Sequence, residues 1–138
     1  MEWQPPESEE HFRLALEAAR MGTWEWNPST GMLSADAAHQ SLFGLSPQSE
    51  PQPNQVYWAR MIPEGIALGV ERAKTALKNG TEFQMEQRVI RADGEVRWML
   101  SRGRAKLGDP NCMIGVSFDI TERERMDEAL HRSEGRLQ

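Results

Sequence analysis

At 138 residues, with 38% hydrophobic residues, a net charge of −5 and one cysteine, the chain has the size of one domain with short flanking elements. The acidic balance argues against a nucleic-acid partner, which would want a basic face. No apolar run is long enough for insertion into a membrane, and no basic-then-apolar leader opens the chain. The lone Cys112 excludes an intrachain disulfide and a multi-cysteine metal site, so the expectation is a cytoplasmic domain.

In chain order, Ser8-Glu9-Glu10 reads as the capped, acidic first turn of a helix that runs to Met21, with Phe12, Leu16 and Ala19 along it and Gly22 as its stop. Thr23-Trp24-Glu25-Trp26 alternates as a strand, residues 27–31 turn, and Met32-Leu33-Ser34 returns as a second strand. Residues 35–65 read as short helices, the first capped by Ser34 or Asp36 and stopped by Gly44, with Pro51-Gln52-Pro53 as loop. Ile66, Val70, Ala73 and Leu77 recur at helical spacing, Pro63 suits the first turn of that helix, and Asn79-Gly80 ends it.

The last third predicts a meander. Residues 81–91 and 95–107 flank Ala92-Asp93-Gly94, a three-residue hairpin signal. With Arg91 opposite Glu95, Glu82 meets Arg104, Gln84 meets Arg102, and Arg88 lies over Trp98. A turn at Gly108-Asp109-Pro110-Asn111 leads into a strand that is apolar at Ile114, Val116, Phe118 and Ile120 and small or polar between them. Two strands, several helices and three more strands predict an α+β fold: a five-stranded antiparallel sheet with helices on one face and flanking helices at both ends.

The register separates two faces of that sheet. One carries Phe83, Met85, Gln87, Val89, Met99, Ser101, Gly103, Gly115 and Ser117, with Trp24 and Trp26 facing the same way. Its mixture of large and small residues suits a concave surface, and Trp24, Trp26, Met85, Gln87, Met99, Ser101 and Ser117 are the candidate pocket. The tryptophans can stack on a planar ligand or fill the space themselves, and the polar residues can orient a ligand or hold water. The other face carries Ile90, Val96, Trp98, Leu100, Ile114, Val116 and Phe118, too apolar for water, and predicts cover by the terminal helices or a second copy.

At Asp119-Ile120-Thr121 the strand becomes a helix with almost no loop. Asp119 can accept from nearby backbone amides, and Thr121 is a candidate N-cap with Glu124 at capping-box spacing. Beyond it, Met126, Leu130, Ser133 and Leu137 begin a heptad seam. A strand joined so closely to an exit helix is a lever.

In their order and spacing, Phe12 to Ala19, Gly22-Thr23-Trp24-Glu25-Trp26, Leu42-Phe43-Gly44-Leu45-Ser46-Pro47, Glu86 to Trp98 and Gly115 to Arg123 resemble the PAS domain family, in its bacterial sensory-box form with a C-terminal Asp-Ile-Thr. The resemblance covers nearly the whole chain. It implies a flanking helix over residues 1–21, a sensor domain over 22–121 and a signalling helix over 122–138. It implies a sensory and dimerisation module of a signal-transduction protein, of histidine kinase or cyclic-dinucleotide enzyme type. A ligand or redox cue would pass through the Asp119–Thr121 junction to an output domain. The apolar outer face and the exit-helix seam add the expected partner surface, a second copy bound through the outer sheet face and flanking helices at Trp98, Leu100, Ile114, Val116, Phe118 and Leu130. The resemblance implies an adjacent PAS or output domain in cis. The alternative is a structural interaction domain whose pocket is filled by its own side chains.

The pattern departs where such domains show His-Pro before two acidic residues; here the stretch is Met61-Ile62-Pro63-Glu64-Gly65. Enzyme readings lack support, with no Gly-rich phosphate loop, Gly-x-Ser-x-Gly elbow or His-Glu-x-x-His. His131 lacks the acidic residue and Thr-Pro of a phospho-acceptor motif and reads as solvated. The cofactor is left open. His39, a lone histidine on a short helix, reads as packed or exposed rather than as a haem ligand. Cys112 precedes the last strand instead of sitting in the helical Gly-Arg-Asn-Cys of flavin-adduct photoreceptors, which argues against that photochemistry.

Overall fold

The structure, a computed structural model, describes residues 5–136. Helix α1 (Pro5–Ala18) is followed by strands β1 (Met21–Asn27) and β2 (Met32–Ala35), helix α2 (Ala37–Leu42), strand β3 (Gln52–Pro53) and helices α3 (Asn54–Trp58) and α4 (Pro63–Asn79). Strands β4 (Phe83–Ile90), β5 (Val96–Lys106) and β6 (Asp109–Asp119) then lead into helix α5 (Thr121–Arg136). The strands form one antiparallel sheet in the order β3-β2-β1-β6-β5-β4, an α+β architecture with the last strand in its middle.

The β4–β5 register is the one the hairpin signal dictates, from Phe83 opposite Gly103 to Ile90 opposite Val96. Arg88 stacks its guanidinium 5.4 Å from the Trp98 ring centre. Glu82 pairs diagonally with Arg102 at 2.6 Å rather than with Arg104, because a long guanidinium reaches the neighbouring position as readily as the opposite one. Both partners are half exposed, which leaves the pair little net stabilising effect.

Several boundaries differ from the sequence reading. The stretch read as loop at Pro51-Gln52-Pro53 contributes β3, where Gln52 and Pro53 pair with Leu33 and Met32. That sixth strand stands at the sheet edge, a position where a residue without an N–H disturbs no ladder. Strand β6 starts at Asp109, so Cys112 lies inside it rather than before it. Ser8 falls within α1 instead of capping it, and Leu137 lies outside the described residues.

Helix α1 also ends at Ala18, with Arg20 in the left-handed region (φ 54°), so Gly22 is not its stop. Gly22 has another task. A Cβ there would lie 2.3 Å from the His39 Cα, so only glycine lets α2 sit against β1. The same contact is fastened by Asp36, the N-cap of α2. Its carboxylate accepts from the His39 amide at 2.8 Å and from the Thr23 amide and hydroxyl at 3.2 and 2.9 Å.

Helices α2, α3 and α4 cover the concave face. Two clusters fill the space, one around Trp26, Ala73, Phe83, Met85 and Met113 and one around Phe43, Tyr57, Val89 and Met99. The opposite face is less covered. Ile90 and Val96 are exposed, while Trp98, Ile114, Val116 and Phe118 are half-buried. Helix α1 does not close over it, since Phe12 keeps 61% of its surface exposed.

Candidate functional site: the concave cavity and the strand-to-helix junction

The concave face is built around Trp24. Gly103 and Gly115 face each other on β5 and β6, and the Trp24 ring lies across both; a Cβ at either would come within 2.8 and 2.3 Å of it. The indole Nε1 donates to Ser117 Oγ at 3.0 Å, and Ser117 shares a 2.8 Å hydrogen bond with Ser101 Oγ. The neighbouring Trp26 Nε1 donates to Asn54 Oδ1 at 3.1 Å. Both indoles therefore turn inward with their polar atoms satisfied, as buried tryptophans require.

The space left over is a cavity of about 100 Å³. Of the candidate pocket residues, Trp24, Trp26, Gln87, Ser101 and Ser117 line it. Met85 and Met99 do not; they are buried in the two packed clusters. Sites for drug-sized ligands typically occupy about 300–1,000 Å³, so the space in this conformation fits neither a flavin nor a haem. Among the described residues no group of three His, Cys, Asp or Glu side chains could hold a metal ion.

His39 is the lining residue that sequence reasoning undervalued. It is 3% exposed, lines the cavity and packs against the Phe43 and Tyr57 rings, at 5.0 and 5.4 Å between centres, in a cluster where those two rings also meet edge to face at 5.1 Å. Its Nδ1 has no hydrogen-bond partner. Burial pushes its pKa from 6.5 down to about 4, against a smaller opposing pull from Asp36. Because the folded value lies below the unfolded one, the unfolded chain takes up a proton first. Stability is intact above pH 6.5 and declines as the pH falls through about 4, by roughly 3 kcal/mol in all. Urea midpoints measured across that range should show the decline, and His39→Phe should flatten it. A wild-type midpoint constant over the same range would contradict the neutral buried imidazole.

At the other end of β6 the strand meets its helix. Asp119 Oδ1 accepts the Thr121 amide at 2.8 Å and the Thr121 hydroxyl at 2.5 Å, while Oδ2 accepts from Arg97 Nε at 2.7 Å. Thr121 Oγ1 also accepts the Trp98 amide of β5 at 2.8 Å. The capping box expected of Thr121 and Glu124 is not what forms. The Thr121 hydroxyl is committed to β5 and to Asp119, and Asp119 serves the helix start in its place. Glu124 instead takes a 3.5 Å contact from Arg123, which also reaches Glu86 of β4. Burial opposes ionisation of Asp119, but the Thr121 hydrogen bonds together with Arg97 outweigh it and hold the carboxyl below its ordinary range.

The candidate interface residues are not brought together as one surface. Trp98, Ile114, Val116 and Phe118 lie on the outer face of the sheet, but Leu100 is already buried within the chain. Leu130 projects from α5 with 57% of its surface exposed, near Met126 at 72%. Cys112 is buried and does not line the cavity, and hydrogen bonding to Asp109 together with burial pushes its thiol up, away from reactivity. Among the described residues no helix is long and apolar enough to cross a membrane.

Known proteins share this fold. A sequence profile described as PAS fold matches residues 32–117. The chain is 29% identical over 125 residues to a blue-light-activated histidine kinase of Brucella anthropi, covering 89% of this chain and 25% of that protein. It is 28% identical over 130 residues to the probable diguanylate cyclase DgcE of Escherichia coli K12, covering 93% of this chain and 12% of that one. It thus spans a quarter or less of the length of these curated relatives. Among solved structures, a sensory box histidine kinase/response regulator from Burkholderia thailandensis superposes with a TM-score of 0.75 at 29% identity, over 91% of this chain and 96% of that one. The profile match, the antiparallel sheet with helices over one face and the cavity beneath them have one reading: the chain belongs to the PAS fold family.

Proposed function

We propose that this chain is the sensory and dimerisation module of a signal-transduction protein whose output is a histidine kinase or a cyclic-dinucleotide enzyme. A cue at the concave cavity biases the sheet, and the Asp119–Thr121 junction passes that bias to α5. One observation carries the reading. The Thr121 hydroxyl joins the start of α5 to β5 through the Trp98 amide and to β6 through Asp119. On those two strands Ser101 and Ser117 bond to each other at the cavity wall. A shift between β5 and β6 at the cavity therefore reaches the helix with no flexible loop to absorb it.

The test is regulation in the full-length protein. Thr121→Ala removes the hydroxyl and leaves the half-buried Trp98 amide unpaired, costing about 1 kcal/mol, and is expected to uncouple output activity from the cue. Thr121→Ser, which keeps the hydroxyl, is expected to retain coupling. Normal regulation in the alanine variant would sink the relay. A second copy is the proposed partner of the outer face, supported by exposed Ile90, Val96, Met126 and Leu130. The proposed compartment is the cytoplasm. The small volume of the cavity favours, as a second reading, an interaction domain plugged by Trp24 and Trp26; in that case regulation would survive changes to the cavity wall.

A further inference from the structure

We propose that a cleft at one end of the sheet, beside the strand-to-helix junction, binds a small doubly charged oxyanion of the phosphate type between Arg20, Arg91 and Arg97. The cleft measures about 770 Å³ and shares no lining residue with the concave cavity, so the site goes beyond the sensory reading of that cavity. Topology brings the arginines together. Strands β1, β6, β5 and β4 are neighbours in that order, and Met21 stands opposite Phe118, Met99 opposite Asp119 and Arg97 opposite Val89. One end of the sheet therefore carries Arg20, Asp119, Arg97 and Arg91 in a row across four chain segments. Helix α2 lies along that row: a Cβ at Gly44, just past its end, would stand 3.3 Å from both the Cβ and the Nε of Arg91. The first turn of α5 adds Glu122 and Arg123 to the wall.

The charges in the cleft are unequally matched. Asp119 has both oxygens engaged, by Thr121 and by Arg97, and Arg123 is taken by Glu86 and Glu124. Arg97 commits Nε to Asp119 and Nη1 to Glu95, each at 2.7 Å, and its Nη2 has no ion-pair partner among the described residues. Arg20 and Arg91 make no ion pair at all among the described residues. Two whole cations and part of a third thus face one uncommitted carboxylate, Glu122. An oxyanion with two charges offsets that excess, and guanidinium forks match its oxygens with charge-assisted hydrogen bonds. Arg91 and Arg97 are half-buried, where salt screens a charge less than at full exposure. Arg20 is the only non-glycine among the described residues at positive φ; glycine would hold that turn with less strain, yet the position carries a cation. Because Arg97 also holds Asp119, an anion bound there acts on the junction directly, while the binding itself does not depend on the relay.

Inorganic phosphate is the probe, titrated into the whole chain at constant ionic strength, with acetate as the singly charged comparison. The guanidinium carbon resonances of Arg20, Arg91 and Arg97 should shift together and saturate at millimolar phosphate, and acetate should move them little. Arg20→Gln and Arg91→Gln are each expected to weaken phosphate binding about tenfold, the worth of one charge-assisted contact. Arg104→Gln, on the exposed outer face away from the cleft, should leave it unchanged. If Arg91→Gln does not fold, Arg20→Gln on its exposed turn and the resonances of the native chain still decide. No saturable shift at millimolar phosphate, an equal response to acetate, or equal weakening by Arg104→Gln would overturn the proposal, the last by reducing it to diffuse attraction. Phosphate binding alongside intact regulation in Thr121→Ala would refute the relay and leave the anion site standing. Loss of coupling in Thr121→Ala without phosphate binding would do the reverse.

Discussion

Asp119→Ala is expected to lower unfolding stability by about 2–3 kcal/mol, because a hydrogen bond involving a charged group is worth about 1.5–3 kcal/mol and this carboxylate makes several. The substitution strips the helix start of its acceptor: the Thr121 amide and hydroxyl lose their partner, and Arg97 keeps only Glu95, at 2.7 Å. The ion pair is mostly shielded, with 22% of the Arg97 and 17% of the Asp119 side chain exposed, so solvent screening removes little of the effect. The same carboxylate gives the fold an acid limit. Its folded pKa lies below the ordinary 3.8, so its contribution is complete above pH 3.8 and is lost as the pH falls through the lower folded value. Urea unfolding from neutral to strongly acidic pH should show that loss in the native chain and not in Asp119→Ala. It is separable from the His39 effect, which develops between pH 6.5 and about 4. Equal midpoints for the native chain and the variant at neutral pH would remove the junction from the account of stability.

Gly115→Ala is expected to cost about 3 kcal/mol, at the upper end of overpacking penalties, because one of the atoms in its way cannot move. The new Cβ would stand 2.3 Å from the Trp24 ring and 2.3 Å from the Arg102 carbonyl oxygen, a backbone atom of the neighbouring strand. Gly103→Ala should cost less, since its nearest contacts, Trp24 at 2.8 Å and Met113 at 3.0 Å, are side chains able to turn aside. The Gly115 variant should also break the bond from Trp24 to Ser117 and change the tryptophan emission. An unchanged spectrum and midpoint would mean that Trp24 does not lie where the concave face requires it.

Much of this architecture was legible because its determinants are local. Alternation in β4 and β5, together with Ala92-Asp93-Gly94, specifies the hairpin register, and that register assigns every residue of both strands to a face. Trp24 and Trp26 follow from the same period, as does the amphipathic α4. The boundaries that failed, at Gly22, Gln52-Pro53 and Asp109, are places where a partner elsewhere in the chain decides the conformation. Gly22 reads as a helix stop until α2 is seen against it.

The sequence by itself determined the class of fold, the sidedness of the sheet and the position of the junction, because periodicity and turn chemistry act over a few residues. Only the tertiary structure decided which side chains meet. It drew Met85 and Met99 away from the cavity, brought His39 to its wall with an unpaired nitrogen, and turned the Thr121 hydroxyl to the Trp98 amide instead of its own helix. Those outcomes depend on contacts between residues far apart in the chain, and no local pattern encodes them.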